Sequence, residues 1–236
     1  MRTPVLPPTR ISIIVPVLNE AARIGAQLAH LRQLAGLHEV IVVDGGSADS
    51  TCELVAAAGW PRLAVSARGR ATQMNAGARL ASGDVLLFLH ADVTLPGNVA
   101  SLVAHALADR RVVAGAFRTH TVAEGQSSLV ARWLRLADLR SRYTRLPYGD
   151  QALFVRRVVF EQLGGFPAQP LFEDLEISRR LRKTGRIRTV PAAVCVSGRR
   201  FIARPFYYAV LMNVLPVLYR VGVPAARLAR AYGDVR

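Results

Sequence analysis

The chain has 236 residues, 51% of them hydrophobic, which suits one large buried core better than two small ones. Its 31 Lys and Arg stand against 16 Asp and Glu, a formal +15 that either attracts polyanions or reflects general use of arginine on the surface. Two cysteines, Cys52 and Cys195, exclude a CxxC motif and a zinc-type spacing. The opening MRTPVLPPTR has no apolar targeting region, and no run of about 20 apolar residues predicts a membrane span.

Taken in order, ISIIVPVL (residues 11–18) predicts a first strand, followed by Asn19-Glu20 and a helix with Ile24, Leu28 and Leu31 on one face. Residues 39–43 predict a second strand ending at Asp44. Gly45-Gly46-Ser47 then turns the chain, and Ser47 or Asp49 is placed to cap a second helix. Residues 63–66 form a short third strand, and Arg68-Gly69-Arg70 opens a third helix carrying Gln73 and Asn75. Residues 85–92, VLLFLHAD, give a central strand: five apolar residues fit burial on both faces, and the run stops at His90 and Asp92. This alternation of strand and helix predicts an α/β fold with a mostly parallel central sheet flanked by helices.

The second half is less regular. Strands are predicted at 112–118, 151–155 and 187–196, with a basic amphipathic helix at 129–141 and a short helix at 158–163. Glu173 and Asp174 open a further helix, where acids are favoured by the helix dipole. From Phe206 the chain reads as one or two apolar helices with arginines between them.

Right-handed crossovers deliver parallel strand ends to one edge of the sheet, and ligands of open α/β sheets bind there. Asn19-Glu20, Asp44 and His90–Asp92 are therefore expected together. Acids at three strand ends fit a ribose, a base edge and a metal. For Asp92 alone, the start of a turn is the competing reading.

The pieces IIVPVLNE (13–20), VVDGGSADST (42–51), RGRATQMNAG (68–77), ASGDVLLFLHAD (81–92), GDQ (149–151) and EDLE (173–176), in this order, resemble the family 2 glycosyltransferases of GT-A fold. The FLHAD form and the GGFP…FEDLEISRRLR segment look closest to a small bacterial "transferase 2" subgroup. The resemblance spans about residues 11–200. It implies a nucleotide-binding half (11–92), an acceptor half (93–200) and a helical extension at 201–236.

The resemblance implies inverting transfer of a sugar from a UDP- or GDP-linked donor to an acceptor hydroxyl. It places Asp44 on the base or ribose, Pro16 and Glu20 in the loop flanking the base, and Arg70 and Asn75 near base or phosphate oxygens. Asp92 matches the last acid of the family's DxD motif and would hold Mn²⁺ or Mg²⁺ against the diphosphate. The motif's first acid is replaced here by His90, which either joins the metal or touches the ribose. An imidazole suits Mn²⁺ better than Mg²⁺. Asp174 matches the catalytic base, with Glu173 as its positioning neighbour. Asp150 and Gln151 match the acceptor-side loop. Arg199 and Arg200 lie where processive relatives carry a QxxRW motif, which is absent, and either grip the diphosphate or face solvent.

Two rival readings compete. A sugar-phosphate nucleotidyltransferase needs a Gly-rich basic loop after the first strand, which PVLNEAARIG lacks. A non-catalytic basic domain binding nucleic acid or membrane would use the net charge, but acids along the sheet edge oppose phosphate unless a metal is bound. No specific nucleic acid is expected. The acceptor is a small molecule or a lipid. The expected location is the cytoplasm, with a peripheral seat on an anionic membrane face as its extension.

Overall fold

The computed structural model describes residues 9–122, 138, 146–198 and 205–232. The first half is β1 (Ile11–Val17), α1 (Ala21–Gln33), β2 (Glu39–Asp44), α2 (Thr51–Ala58), β3 (Arg62–Val65), α3 (Arg70–Leu80) and β4 (Val85–Phe88). β1 pairs in parallel with β2 and β4, and β2 with β3. Both faces of β1, β2 and β4 are covered. Ile13 and Val15 pack with Ile24, Leu28 and Leu31 of α1, while Ile14, Ile41 and Val43 pack with Met74 and Ala78 of α3. Each such side chain contributes about 1.5–3 kcal/mol on burial, so two-sided covering selects near-continuous apolar runs rather than alternation. Gly77 lets α3 lie close on the sheet, since a Cβ there would meet Ile14 Cγ2 at 2.5 Å.

The second half comprises β5 (Val93–Thr94), α4 (Val99–Ala106), β6 (Val112–Val122), a 3₁₀ turn (Gly149–Gln151), β7 (Phe154–Arg156), α5 (Arg157–Gln162), α6 (Glu173–Thr184), β8 (Arg186–Ser197), α7 (Pro205–Arg220) and α8 (Ala225–Tyr232). The eight strands form one sheet in the order β3-β2-β1-β4-β7-β6-β8-β5. It is parallel through β3-β2-β1-β4 and turns mixed beyond: β7 runs antiparallel to β4 and β6, β8 parallel to β6, and β5 antiparallel to β8.

Several local expectations change. Gln151 lies in the 3₁₀ turn, not in a strand, and β7 starts only at Phe154. Its side chain explains the change, because its amide bonds to backbone on both sides of the turn. α2 starts without a side-chain cap. Ser47 instead bonds Asp44, and Asp49 accepts from Ala21 N and Thr51 N. α4 and β5 were not anticipated. Of the predicted basic helix at 129–141, only Asp138 is among the described residues; Arg199 and Arg200 lie outside them.

A third apolar cluster joins the C-terminal helices to the body. Leu211 and Leu215 of α7 and Leu228 of α8 pack with Leu171, Phe172 and Leu175, and Tyr148 lies against them. Phe172 stacks on Tyr219 with centroids 4.9 Å apart. Among the described residues, no helix is long and apolar enough to cross a membrane.

Candidate active site

The topology brings the two halves to one edge. β1, β2 and β4 are parallel, so Asn19, Asp44 and His90 leave the sheet at its carboxyl edge. β6 and β8 run parallel to β4 through the intervening antiparallel β7. α6 precedes β8, which puts its N-terminus at the same edge. The 3₁₀ turn precedes antiparallel β7 and arrives there too.

On the first-half side, the loops after β1 and β2 are clasped. Asn19 N donates to Ser47 Oγ at 2.8 Å, and Ala48 N returns a bond of 2.8 Å to Asn19 Oδ1. Asn19 holds a left-handed φ of +54° to do so. Glu20 N donates to Thr51 Oγ1, while the Glu20 carboxylate pairs with Arg23 at 2.6 Å. The Asp44 carboxylate is buried and accepts from Gly46 N at 2.7 Å, Ser47 N at 2.8 Å and Ser47 Oγ. Burial pushes its pKa up, but the Ser47 and Gly46 donors together outweigh burial and hold it below the ordinary value. Gln73 underpins this edge: its amide donates to Val17 O at 2.7 Å and Val43 O at 2.9 Å. Pro16 stands inside β1 opposite Val43 rather than in the loop, a correction to its expected place.

Beyond β4, His90 and Asp92 are both partly exposed. The Asp92 main chain is fixed by Ser197 N donating to its carbonyl. Its carboxylate has no hydrogen bond or ion pair among the described residues. Among the described residues no group of three or more His, Cys, Asp or Glu could hold a metal ion. The donor set is therefore sparse. An unengaged carboxylate still fits an ion completed largely by diphosphate oxygens and water, as is usual for Mg²⁺-type sites.

Gly149 is the meeting point. Its N–H donates to Asp174 Oδ2 at 2.7 Å, and Asp174 Oδ1 accepts from Leu175 N. A Cβ on Gly149 would lie 2.9 Å from His90 Nε2 and 3.3 Å from Asp174 Oδ2. A side chain at this position would have to displace the imidazole tip or the turn. Left-handed residues flank the same features: Ala152 at φ +48° after the turn and Phe172 at φ +64° before Glu173. Such backbone strain, of order 1–3 kcal/mol each, persists where surroundings fix a functional geometry.

Glu173 is 1% exposed. Its Oε1 accepts from Arg70 Nε at 2.6 Å, while its Oε2 has no hydrogen-bond partner among the described residues. Burial pushes its carboxyl above the usual range; Arg70 opposes this and Asp174 adds to it. The Arg70–Glu173 pair ties α3 to α6, so Arg70 is committed in part to that helix.

Two expected site residues are engaged with protein backbone. Asn75 Nδ2 donates to Phe166 O and Asn75 Oδ1 accepts from Phe166 N, both at 2.9 Å. Gln151 is buried, its amide donating to Phe117 O and accepting from Tyr148 N. Asp150 stays beside Gly149 in the turn. Sequence reasoning passed over Gly149 and Gln73. Gly149 was visible within GDQ, but its role depends on a histidine 59 positions earlier in the chain.

A mixed sheet with nucleotide-type loops and a carboxylate pair at one edge defines a GT-A glycosyltransferase fold, and comparison bears this out. A mannosyltransferase from Pyrobaculum calidifontis, solved with GDP-Man and Mn²⁺, superposes with a TM-score of 0.68 at 22% identity, covering 96% of this chain and 70% of that one. Glucosyl-3-phosphoglycerate synthase from Mycobacterium tuberculosis, solved with Mn²⁺ and UDP-glucose, gives 0.56 at 21% identity, covering 78% of this chain and 70% of that one. The Glycosyl transferase family 2 model matches residues 12–164, and the chain belongs to that family. A PGL/p-HBAD biosynthesis glycosyltransferase of Mycobacterium bovis is 33% identical over 165 residues, which are 66% of this chain and 62% of that protein. The chain thus matches less than two thirds of that relative's length. An undecaprenyl-phosphate 4-deoxy-4-formamido-L-arabinose transferase of Serratia proteamaculans is 35% identical over 101 residues, covering 38% of this chain and 31% of its own.

Proposed function

We propose that this protein transfers a sugar from a UDP- or GDP-linked donor to an acceptor hydroxyl with inversion at the anomeric carbon. The observation that carries the reading is the Asp174 carboxylate, held by Gly149 N–H on the same sheet edge as Asp44 and Asp92. The acceptor oxygen attacks the anomeric carbon, its proton passes to Asp174, and the bond to the nucleoside diphosphate breaks on the opposite side. Glu173 positions this base through Arg70. Asp44 and the clasped loops around Glu20 receive base and ribose, with Pro16 behind them in β1. Asp92 is the residue to hold Mn²⁺ or Mg²⁺, and such an ion would neutralise the departing diphosphate. His90, close to Gly149, is the second candidate for the metal or the ribose. Asp150 faces the acceptor side, and Arg199 and Arg200 remain candidates for the diphosphate.

The relative that acts with undecaprenyl phosphate supports a lipid among the acceptor classes. A peripheral seat on the cytoplasmic membrane face belongs to the same reading, as do the two parts of the chain at 11–200 and 201–236. The test is a screen of common nucleotide sugars for Mn²⁺-dependent hydrolysis or transfer, with the product anomer read by NMR. Inverted product from the unaltered protein, with metal-dependent nucleotide binding lost in Asp92→Asn, is the expected result. Retained configuration, or metal-dependent binding unchanged in Asp92→Asn, overturns the assignment.

A further inference from the structure

The C-terminal helix pair has a second face that the fold leaves unused. α7 buries Leu211 and Leu215 against the body, yet Val214, Val217 and, just past its end, Val221 are exposed, Val221 at 72%. The spacings of three, four and seven put these three valines on one face of the helix. This stripe runs for about 11 Å. Its surroundings are basic: Arg220, Arg227 and Arg230 are exposed, and residues 205–232 contain no acid. A soluble partner would meet a stripe of valines and arginine charge, a pattern that suits an amphipathic helix lying at a lipid headgroup boundary. The whole chain's +15 complements an anionic surface.

The inner face of the same helices braces the acceptor side of the site. Tyr148, next to Gly149, and Phe172, next to Glu173, both belong to the cluster built on Leu211, Leu215 and Leu228. Arg179 of α6 lies over the Tyr219 ring, 5.4 Å from its centroid. The exposed stripe and the face that packs on the segments beside Asp174 are thus neighbouring faces of one helix.

We propose that the outer face of α7, with the arginines of α7 and α8, docks this protein on an anionic phospholipid bilayer and thereby sets the acceptor side of the site at the membrane. The identity of that side rests on the glycosyl-transfer reading; the docking face does not. The acceptor class this favours is an amphipathic lipid held in the bilayer.

The experiment is co-sedimentation of the full chain with phosphatidylglycerol-containing vesicles and with pure phosphatidylcholine vesicles. The arms are the unaltered protein, Val214→Glu/Val217→Glu/Val221→Glu, Arg227→Gln/Arg230→Gln, and Val65→Glu as an equally exposed valine far from α7. Binding to anionic vesicles is expected at low salt and is weakened at high salt. The triple variant should lose at least about tenfold in partition, the double arginine variant about fivefold per charge, and Val65→Glu nothing. Thermal stability of each variant is measured alongside, and the substitutions lie on exposed positions. Equal binding to neutral vesicles, no binding to either, or a triple variant that binds normally overturns the proposal. So does a concentration-dependent dimer that the triple variant abolishes without any effect on vesicles. Nucleotide-sugar turnover without vesicle binding refutes the docking face alone, whereas stripe-dependent vesicle binding without any nucleotide-sugar binding refutes the transferase reading alone.

Discussion

The two sides of the candidate site are built differently. The side from β1 to β4 is parallel sheet, and its polar residues are fixed by contacts between neighbouring loops, such as Asn19 with Ser47 and Asp44 with Gly46. The side formed by the 3₁₀ turn and α6 carries its own bond from Gly149 to Asp174 and is tied back to the first half by contacts that cross the chain, Arg70 to Glu173 and Asn75 to Phe166. It also holds two of the three non-glycine residues with left-handed φ among the described residues, Ala152 and Phe172. The first side is a preformed cradle of backbone and short side chains. The second is a strained assembly that exists only when the whole fold is complete. Binding of a nucleotide should therefore depend on the first side, and chemistry on the second.

The largest effect short of removing the base is expected at Gly149. Gly149→Ala puts a Cβ 2.9 Å from His90 Nε2, so either the ring or the turn must shift, and the turn carries the N–H that holds Asp174. A displacement near 1 Å costs about 100-fold in turnover. Nucleotide affinity should stay near that of the unaltered protein. If instead affinity falls while turnover of bound donor survives, the division between the two sides is wrong. Activity titrated against donor concentration separates the outcomes.

A smaller effect is expected at Asp44, and it falls on stability and nucleotide binding. Asp44→Asn removes a charge-assisted acceptor from three donors, for a loss of about 1–3 kcal/mol at neutral pH. The folded-state pKa of Asp44 is depressed. Its contribution is thus fully present above the ordinary carboxylate pKa of about 4 and disappears as pH falls through the lower, folded value. The gap in unfolding free energy between Asp44→Asn and the unaltered protein should narrow on acidification. Denaturant titrations at several pH values check this; a gap that widens toward low pH contradicts the assignment.

The sequence made the first side readable and left most of the second obscure, for physical reasons. Strands covered on both faces need unbroken apolar runs, so β1, β2 and β4 declare themselves, and parallel crossovers fix where Asp44 and Asp92 emerge. α6 was legible from its acids in the first turn and its apolar spacing. The 3₁₀ turn was not, because Gln151 follows Asp150 into what reads as a strand, and the side-chain bonds to Phe117 O and Tyr148 N that help hold the turn leave no local pattern. Asn75 reads as a ligand residue because an amide at a helix entry suits a phosphate or base. Its partner within the fold, Phe166, lies 91 residues away and leaves no local trace.

The division of labour is tested most directly at Asp174. Asp174→Asn retains size and hydrogen-bonding shape but cannot take the acceptor's proton. Turnover and nucleotide dissociation constant should be measured on the same preparation, with Mn²⁺ present. The account predicts a fall in kcat of about 10²–10⁴-fold with UDP or GDP affinity unchanged. Equal turnover in the variant, or a loss of nucleotide affinity that accounts for all of the lost rate, would contradict it.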